Sequence, residues 1–144
     1  MAIADPYANF SFLVEIDGIV RAGFHEVSGI DSTIDVIEYK EGNDTVTRLY
    51  PGRLMNKTRI TLRYGMADDT DLYQWHMQWA TGDPAAARKT GSIVLQDRQG
   101  KTELARWNFV NAWPCRYTGP SLNAEGNDIA IETLELAHEG VQRA

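Results

Sequence analysis

The first clear pattern along the chain is an alternation of apolar and polar residues before Asp17. The apolar members are Phe10, Phe12, Val14 and Ile16, and Ser11, Leu13 and Glu15 lie between them. A period of two residues is typical of a strand with one buried face. Asp17-Gly18 follows, and glycine tolerates the positive φ that tight hairpin turns require. The pattern predicts an opening β-hairpin whose second strand covers residues 19–24.

Further strands are predicted along the rest of the chain, for a total of about seven. A third strand, apolar on both faces, covers residues 34–39. Four more cover residues 57–64, 92–96, 101–113 and 128–138. Pro114 is expected to end the strand over residues 101–113. In the last strand Ile129 and Ile131 lie on one face and Leu134 and Leu136 on the other. This change of phase indicates a bulge or burial on both sides.

One amphipathic helix is predicted over residues 69–81. Its apolar stripe has the spacing i, i+3, i+4 and i+7 and consists of Leu72, Trp75, His76 and Trp79. One helix among many strands favours antiparallel sheets that form a barrel or a sandwich, with the helix against one side.

The segment from Lys40 to Asn56 has no sustained periodicity and is long for a connection within a compact domain. One interpretation is a flexible surface loop. The other is an arm that orders against another molecule. Val46, Leu49 and Tyr50 favour the arm, because a pure linker has little use for apolar side chains.

Composition bounds the class of protein. A chain of 144 residues fits one domain, and no domain boundary or internal repeat is visible. The net charge of −6 argues against a broad basic face that grips nucleic acid. The single cysteine, Cys115, excludes an internal disulfide. No apolar run has the length of a membrane span and no leader precedes Phe10, so we expect a protein made in the cytoplasm.

Candidate catalytic and metal-binding residues do not cluster in the sequence. His25, His76 and His138 are widely spaced; we expect His76 at the edge of the core and His138 in a capping hydrogen bond. Glu132 and Glu135 fall on opposite faces of a strand and cannot share a cleft. Cys115 is better explained as a small apolar residue than as a nucleophile. We therefore predict no enzyme activity, no metal and no cofactor.

Four blocks, in order, carry a resemblance to a known family. They are DPYANFSFLVEIDGI with AGFHEVSGI; VIEYKEGND through LYPG; KTRITLRYG with the helix DLYQWHMQW; and IETLELAHEG. The ordered set resembles the tail-tube proteins of contractile phage tails and contractile injection particles, relatives of the Hcp tube protein of type VI secretion. Between residues 88 and 127 the match extends only to the pattern of strands and turns.

The resemblance implies one tail-tube domain over residues 1–144, a two-sheet antiparallel β-barrel with a flanking helix. It also implies hexameric rings that stack into a hollow tube inside a sheath, and an arm, about residues 38–57, that reaches the adjacent subunit or ring. The arm residues are Glu38, Tyr39, Lys40, Glu41, Gly42, Asn43, Asp44, Arg48, Leu49, Tyr50, Pro51, Gly52 and Arg53.

Partners implied by the resemblance are further copies of the chain, sheath, baseplate and spike proteins, and a translocated protein or DNA cargo, without membrane insertion. A lumen favours small or hydrated side chains, and the candidates by strand face are Ser11, Glu15, Asp17, Arg59, Thr61, Arg63, Asp128 and Glu132. Two alternatives stay open: a baseplate-proximal tube initiator or secreted Hcp-like carrier, and a monomeric β-barrel that binds a small ligand.

Overall fold

The computed structural model describes residues 10–17, 19–21, 24–43, 45–55, 58–66, 70–97, 102–122 and 130–144. These residues form ten strands and one helix. The strands are β1 Phe10–Ile16, β2 Ile19–Arg21, β3 Phe24–Ser28, β4 Thr33–Tyr39, β5 Arg48–Met55, β6 Ile60–Gly65, β7 Lys89–Asp97, β8 Glu103–Thr118, β9 Ile131–Ala137 and β10 Val141–Arg143; helix α1 is Asp71–Ala80.

The long strand β8 belongs to two antiparallel sheets. Its first half lies in sheet A, in the order β2-β1-β7-β8-β10, and its second half lies in sheet B, in the order β8-β9-β6-β3. Asn111 interrupts β8 with a left-handed φ of 50° near the point where one sheet passes into the other. Its side chain donates a hydrogen bond of 2.7 Å to Glu139, which lies in the break between β9 and β10.

The core lies between the inner faces of the two sheets and is covered by α1. Sheet A, sheet B and the helix all contribute fully buried side chains, among them Val14, Ile16, Ile93, Phe109, Ile60, Leu62, Tyr64, Leu134, Leu136, Leu72 and Trp75. The indole of Trp75 donates a hydrogen bond of 3.0 Å to the carbonyl of Ala87, so its polar atom is satisfied inside the core.

Strands β4 and β5 form a separate two-stranded sheet that projects from the domain; we call this hairpin, residues 33–55, the arm. Every described residue of β4 is exposed. Neither strand of the arm pairs with a strand of sheet A or sheet B within the described part of the chain. Because β4 is apolar on both faces, its sequence indicated a strand covered on both sides. In the single chain β4 is instead part of an uncovered ribbon.

The mainly β fold with antiparallel sheets and one helix is confirmed, as is the opening hairpin, in which Ile16 faces Ile19. The predicted closure of the sheets into a barrel is wrong: the hydrogen-bonded path of strands ends at β2 and β3 over the described residues. Pro114 does not end β8; it lies beside a register shift between Pro114 and Arg116, and irregularities of this kind are where sheets tolerate proline. The sequence reading also missed β5, which contains Pro51, and the short strands β3 and β10.

Candidate assembly interface

The arm presents apolar side chains on both of its faces. After a bulge between Ile34 and Val36, Ile37 pairs with Tyr50 and Glu38 pairs with Leu49. Tyr39 contacts Tyr50 edge to face, with ring centroids 6.3 Å apart, and so shares a face with Ile37. Because side chains alternate along a strand, the opposite face carries Val36 and Leu49.

The exposure of this ribbon is large for a protein that stays alone in water. Leu49 is 65% exposed and Val36 57%, and Ile34, Ile37, Tyr39, Tyr50 and Leu54 are each about half exposed or more. A two-stranded hairpin without a packed face is at best marginally stable. Apolar surface concentrated on one projecting element marks an interaction site. The arm is therefore a candidate interaction surface.

The tip of the arm is polar. The hydroxyl of Tyr39 donates a hydrogen bond of 3.2 Å to Glu41, and Gly42 and Asn43 lie in the turn that follows. Lys40 precedes this turn, whereas Asp44 lies outside the described residues. On β5, Arg48 pairs with Tyr39 and Pro51 pairs with Val36; Gly52 and Arg53 follow toward the base. The predicted arm residues that the structure describes thus fall on one hairpin and its tip.

The outer face of sheet A carries polar side chains whose partners lie on the same face. Arg106 donates hydrogen bonds of 2.6 Å to Glu103 and 3.0 Å to Glu15. These two contacts, first that with Glu103, hold the pKa of Arg106 above its ordinary value. Ser92 donates a bond of 2.6 Å to Asn108 beside them. The charges on this face are compensated within it, and Leu13 and the buried Val94 lie among them.

The outer face of sheet B carries a second group of charges. Arg59 lies 3.4 Å and Arg116 4.0 Å from Glu135, and Arg63 lies 3.0 Å from Glu26. Each of these three arginine side chains is about half exposed or more. Because both sheets turn their inner faces to one core, this surface points away from the outer face of sheet A.

The predicted lumen residues do not all share one surface. Ser11 and Glu15 lie on sheet A, and Asp17 lies at the β1–β2 turn with a φ of 39°. Arg59, Thr61 and Arg63 precede or belong to β6 of sheet B. These groups cannot line the same channel within one ring, since they lie on opposite sides of the subunit. Asp128 lies outside the described residues.

Glu132 lies on the inner face of β9 with Leu134 and Leu136 and is only 9% exposed. Burial raises the pKa of Tyr117, and the neighbouring Glu132 carboxyl adds to that increase. Glu135 is on the outer face, as its spacing from Glu132 predicts. Glu132 is therefore a core-side residue, and we leave it out of the channel surface.

The helix residues occupy two depths. Leu72 and Trp75 are buried, whereas His76 and Trp79 are half-buried at the edge of the core. Nδ1 of His76 donates a hydrogen bond of 2.9 Å to the Pro114 carbonyl. Trp79 packs on Trp113 with ring centroids 5.3 Å apart. The stripe read from the sequence is thus the face that α1 presents to β8 and the core.

The described residues offer little for catalysis. Burial raises the pKa of the Cys115 thiol, opposite to the shift that activates a nucleophile. His138 is held by the Thr58 carbonyl at 2.8 Å and accepts a bond from the Gly140 N–H. Over the described ranges, no three His, Cys, Asp or Glu side chains converge in a way that could hold a metal ion. In the same part of the chain, no helix has the length and apolarity to span a membrane.

Free strand edges are the assembly feature that the sequence reading did not locate. Over the described residues, sheet A ends at β2 on one side and at β10 on the other, and sheet B ends at β3. Gly140 followed by the three residues of β10 gives too short a pattern to be recognised as a strand. A cavity of 340 Å³ lies beside β10, lined by Val141, Gln142, Val110 and, at the base of the arm, Ser32 and Leu54.

One protein-family model matches almost the whole chain. A family model described as T4-like virus tail tube protein gp19 matches residues 8–142. No curated protein sequence matches the chain.

Solved structures similar to the chain come from contractile machines and from an Hcp protein. One is from the sheath-tube complex of an extracellular contractile injection system, PVC, in the extended state; it is 31% identical, covers 96% of this chain and 91% of that chain, and has a TM-score of 0.80. Another, from the PVC sheath/tube terminator in the extended state, is 31% identical, covers 99% of each chain and has a TM-score of 0.83. Hcp1 from Flavobacterium johnsoniae is 18% identical, covers 93% of this chain and 94% of that chain, and shares the fold with a TM-score of 0.58.

Proposed function

Since this chain belongs to the T4-like virus tail tube protein family, we propose that it is a structural subunit of the inner tube of a contractile tail or injection particle. The subunit works by assembly, with copies of itself as its first partner. The similar chain from the PVC sheath-tube complex supports a sheath as the surrounding partner.

The arm is the observation that carries this proposal. It exposes Ile37 and Tyr50 on one face and Val36 and Leu49 on the other, so cover on one side would not be enough. Insertion between two neighbouring copies covers both faces at once. Each large aliphatic side chain removed from water in this way contributes roughly 1.5–3 kcal/mol at full burial, which offsets the cost of ordering the hairpin.

We propose that six copies form a ring and that rings stack into a tube, with the arm reaching the adjacent subunit or ring. The number six comes from the family resemblance. Head-to-tail contacts that close around a ring leave the two ends of the ring free, and repetition of the same contact along the axis produces a filament. Assembly in the bacterial cytoplasm, nucleation at a baseplate with its spike, and a single tube domain belong to the same proposal.

The outer face of sheet A is the better candidate for the channel wall. Ser11, Ser92 and Asn108 are small or hydrated, and Arg106 is neutralised by two carboxylates on the same face. A wall of this kind gives a sliding protein or DNA cargo few strong attachment points. The Arg59, Thr61 and Arg63 group, which lies on the other side of the subunit, then faces away from the channel.

Trimming the arm tests the proposed function. Because Ile34 pairs with Leu54 and Thr33 with Met55, residues 35–53 can be replaced by Asn-Gly, a two-residue turn suited to that hairpin end. Negative-stain microscopy of the intact protein should show rings or tubes. The trimmed protein should keep the circular dichroism of the folded domain and show neither.

Point variants sharpen this test. Leu49→Asp places a charge on the arm and should reduce assembly, whereas Leu122→Asp makes the same change at an apolar residue outside the arm that is already 85% exposed. Tubes of normal length from the trimmed protein would overturn the role of the arm. Intact protein that stays monomeric at every concentration, with sheath and baseplate partners present, would overturn the proposed function itself.

A further inference from the structure

Arg106 extends across the outer face of sheet A. It belongs to β8, and its Nη1 donates a hydrogen bond of 3.0 Å to Glu15 on β1. Strand β7 lies between these two strands, and neighbouring strands are about 4.8 Å apart, so the two side chains meet over β7. Val94 of β7 lies opposite Arg106 and is only 2% exposed on this outer face. We attribute this burial to the aliphatic part of Arg106, since long cationic side chains cover apolar surface while their charged end stays in water.

Carboxylates occupy the edges of the Arg106 guanidinium that would bind a phosphate. Nε and Nη2 donate to the same oxygen of Glu103, at 3.1 and 2.6 Å, while Nη1 donates to Glu15. A fork of two parallel N–H groups is what arginine uses to bind a phosphate in a bidentate way. The Arg106 side chain is 29% exposed, so an anion can reach it, but a phosphate would have to displace Glu103 from the fork.

Arg106 is the one cationic side chain that strand register places on this face within the described part of the chain. Ser92 and Asn108, which lie next to it, are uncharged and bonded to each other. Asp17 at the β1–β2 turn adds a further negative charge at the edge of the face. The capacity of the outer face of sheet A to hold an anion therefore depends on Arg106, and two carboxylates oppose it.

Repetition makes a single arginine per subunit important. With the outer face of sheet A as the channel wall, every copy in a ring presents one Arg106 to the cargo, and stacked rings repeat the set along the axis. Nucleic acid is a regular chain of phosphates, and contacts that are weak one by one add up along such a polymer. Unopposed arginines would hold the chain at many points, whereas neutralised ones let it slide.

We propose that Arg106 is a shielded phosphate-binding residue, and that Glu15 and Glu103 determine the specificity of the wall by keeping nucleic acid from binding to it. Removal of the two carboxylate charges converts a wall that passes nucleic acid into one that retains it. The placement of this face in the channel rests on the proposed tube function. The shielding of Arg106 is a property of the single chain and can be tested without a tube.

Inorganic phosphate tests the shielding in full-length protein kept too dilute to form rings. Glu15→Gln combined with Glu103→Gln removes both charges and keeps the side-chain lengths. The Nε–H nuclear magnetic resonance signal of Arg106, identified by its loss in Arg106→Gln, should shift with added phosphate in this double variant and stay in place in the unaltered protein. Partly exposed ion pairs add little to stability, so the fold should persist. Glu103→Gln alone frees the fork and replaces the double variant should that one unfold; a signal that ignores phosphate in the folded variant would overturn the shielding.

Rings extend the test to nucleic acid. Rings of the double variant should bind a fluorescent single-stranded DNA about tenfold or more tightly than unaltered rings at low salt, and added salt should remove the difference. The triple variant with Arg106→Gln is the matched control, because it keeps both changed carboxylates, lacks the cation and should bind DNA no better than unaltered rings. Equal DNA binding by the double and triple variants would overturn the role of Arg106 and leave the tube function intact. Absence of rings from the unaltered protein would count against the tube function, while the phosphate titration would still decide the shielding.

Discussion

Glu132 and Glu135 show how a shift of three residues along β9 changes the surroundings of a carboxylate. Glu132 lies inside with Leu134, whereas Glu135 lies outside within 3.4 Å of Arg59. The exposed pair contributes little to stability because water and salt screen it. The Arg59–Glu135 pair keeps the outer face of β9 hydrated, while the inner face supplies the core.

Trp75 and Trp79 allow the depth of the helix stripe to be measured. Trp75 is 2% exposed and bonded to Ala87, while Trp79 is half-buried at the core edge. We expect Trp75→Ala to lower the free energy of unfolding by about 3–5 kcal/mol through the cavity that it leaves. Trp79→Ala should lower the free energy of unfolding by clearly less.

Urea unfolding of both helix variants should be measured in the arm-trimmed background, so that assembly does not add to the apparent stability. An equal loss of unfolding free energy for the two variants would contradict the placement of Trp75 at the centre of the core and Trp79 at its edge.

At the scale of elements, strands with one buried face were predictable and strands without one were not. The alternation in β1 and β6 follows burial of Val14 and Leu62 against the core. Strand β5 contains Pro51 and Gly52, and none of its described side chains is buried, so neither periodicity nor composition marks it. Its regularity comes from pairing with β4, a contact that a local pattern does not contain.

The assembly surface was predictable only in part for the same reason. Leu49 and Tyr50 were recognisable from the sequence alone, because apolar residues have little use in a linker. That signal is local. The division of Ser11 and Arg63 between opposite faces depends on how two sheets fold over one core. The sheet edges at β2 and β10, as far as the chain is described, depend on which strands lie at the ends of a sheet, and strand order is not a local property.

Gly29 joins β3 to the arm at a point that tolerates no side chain. Its φ is 89°, and a Cβ there would lie 1.9 Å from the Arg59 carbonyl oxygen. We expect Gly29→Ala to destabilise the domain by at least about 1–2 kcal/mol, the cost of a left-handed residue alone. Thermal unfolding measures this loss, with Gly42→Ala as control because no atom lies within 4 Å of its Cβ position. Equal melting temperatures for the two variants would refute the close approach.

At the scale of the whole molecule, the single chain is a domain with unfinished surfaces. Its hydrogen-bonded path of strands ends at β2 and β3 over the described residues, and its arm is uncovered on both faces. Exposed edges and apolar ribbons are aggregation hazards in a protein that works alone. In a subunit that joins copies of itself into a closed ring, the same features are interfaces.

Hydrogen–deuterium exchange of the arm, in dispersed and in assembled protein, tests this account most directly. Backbone amides of residues 33–55 should exchange quickly in dilute subunits and become strongly protected in tubes, while amides of the β6 and β9 core change little. Arm amides that exchange at the same fast rate in tubes and in free subunits would contradict the claim that another copy covers the arm.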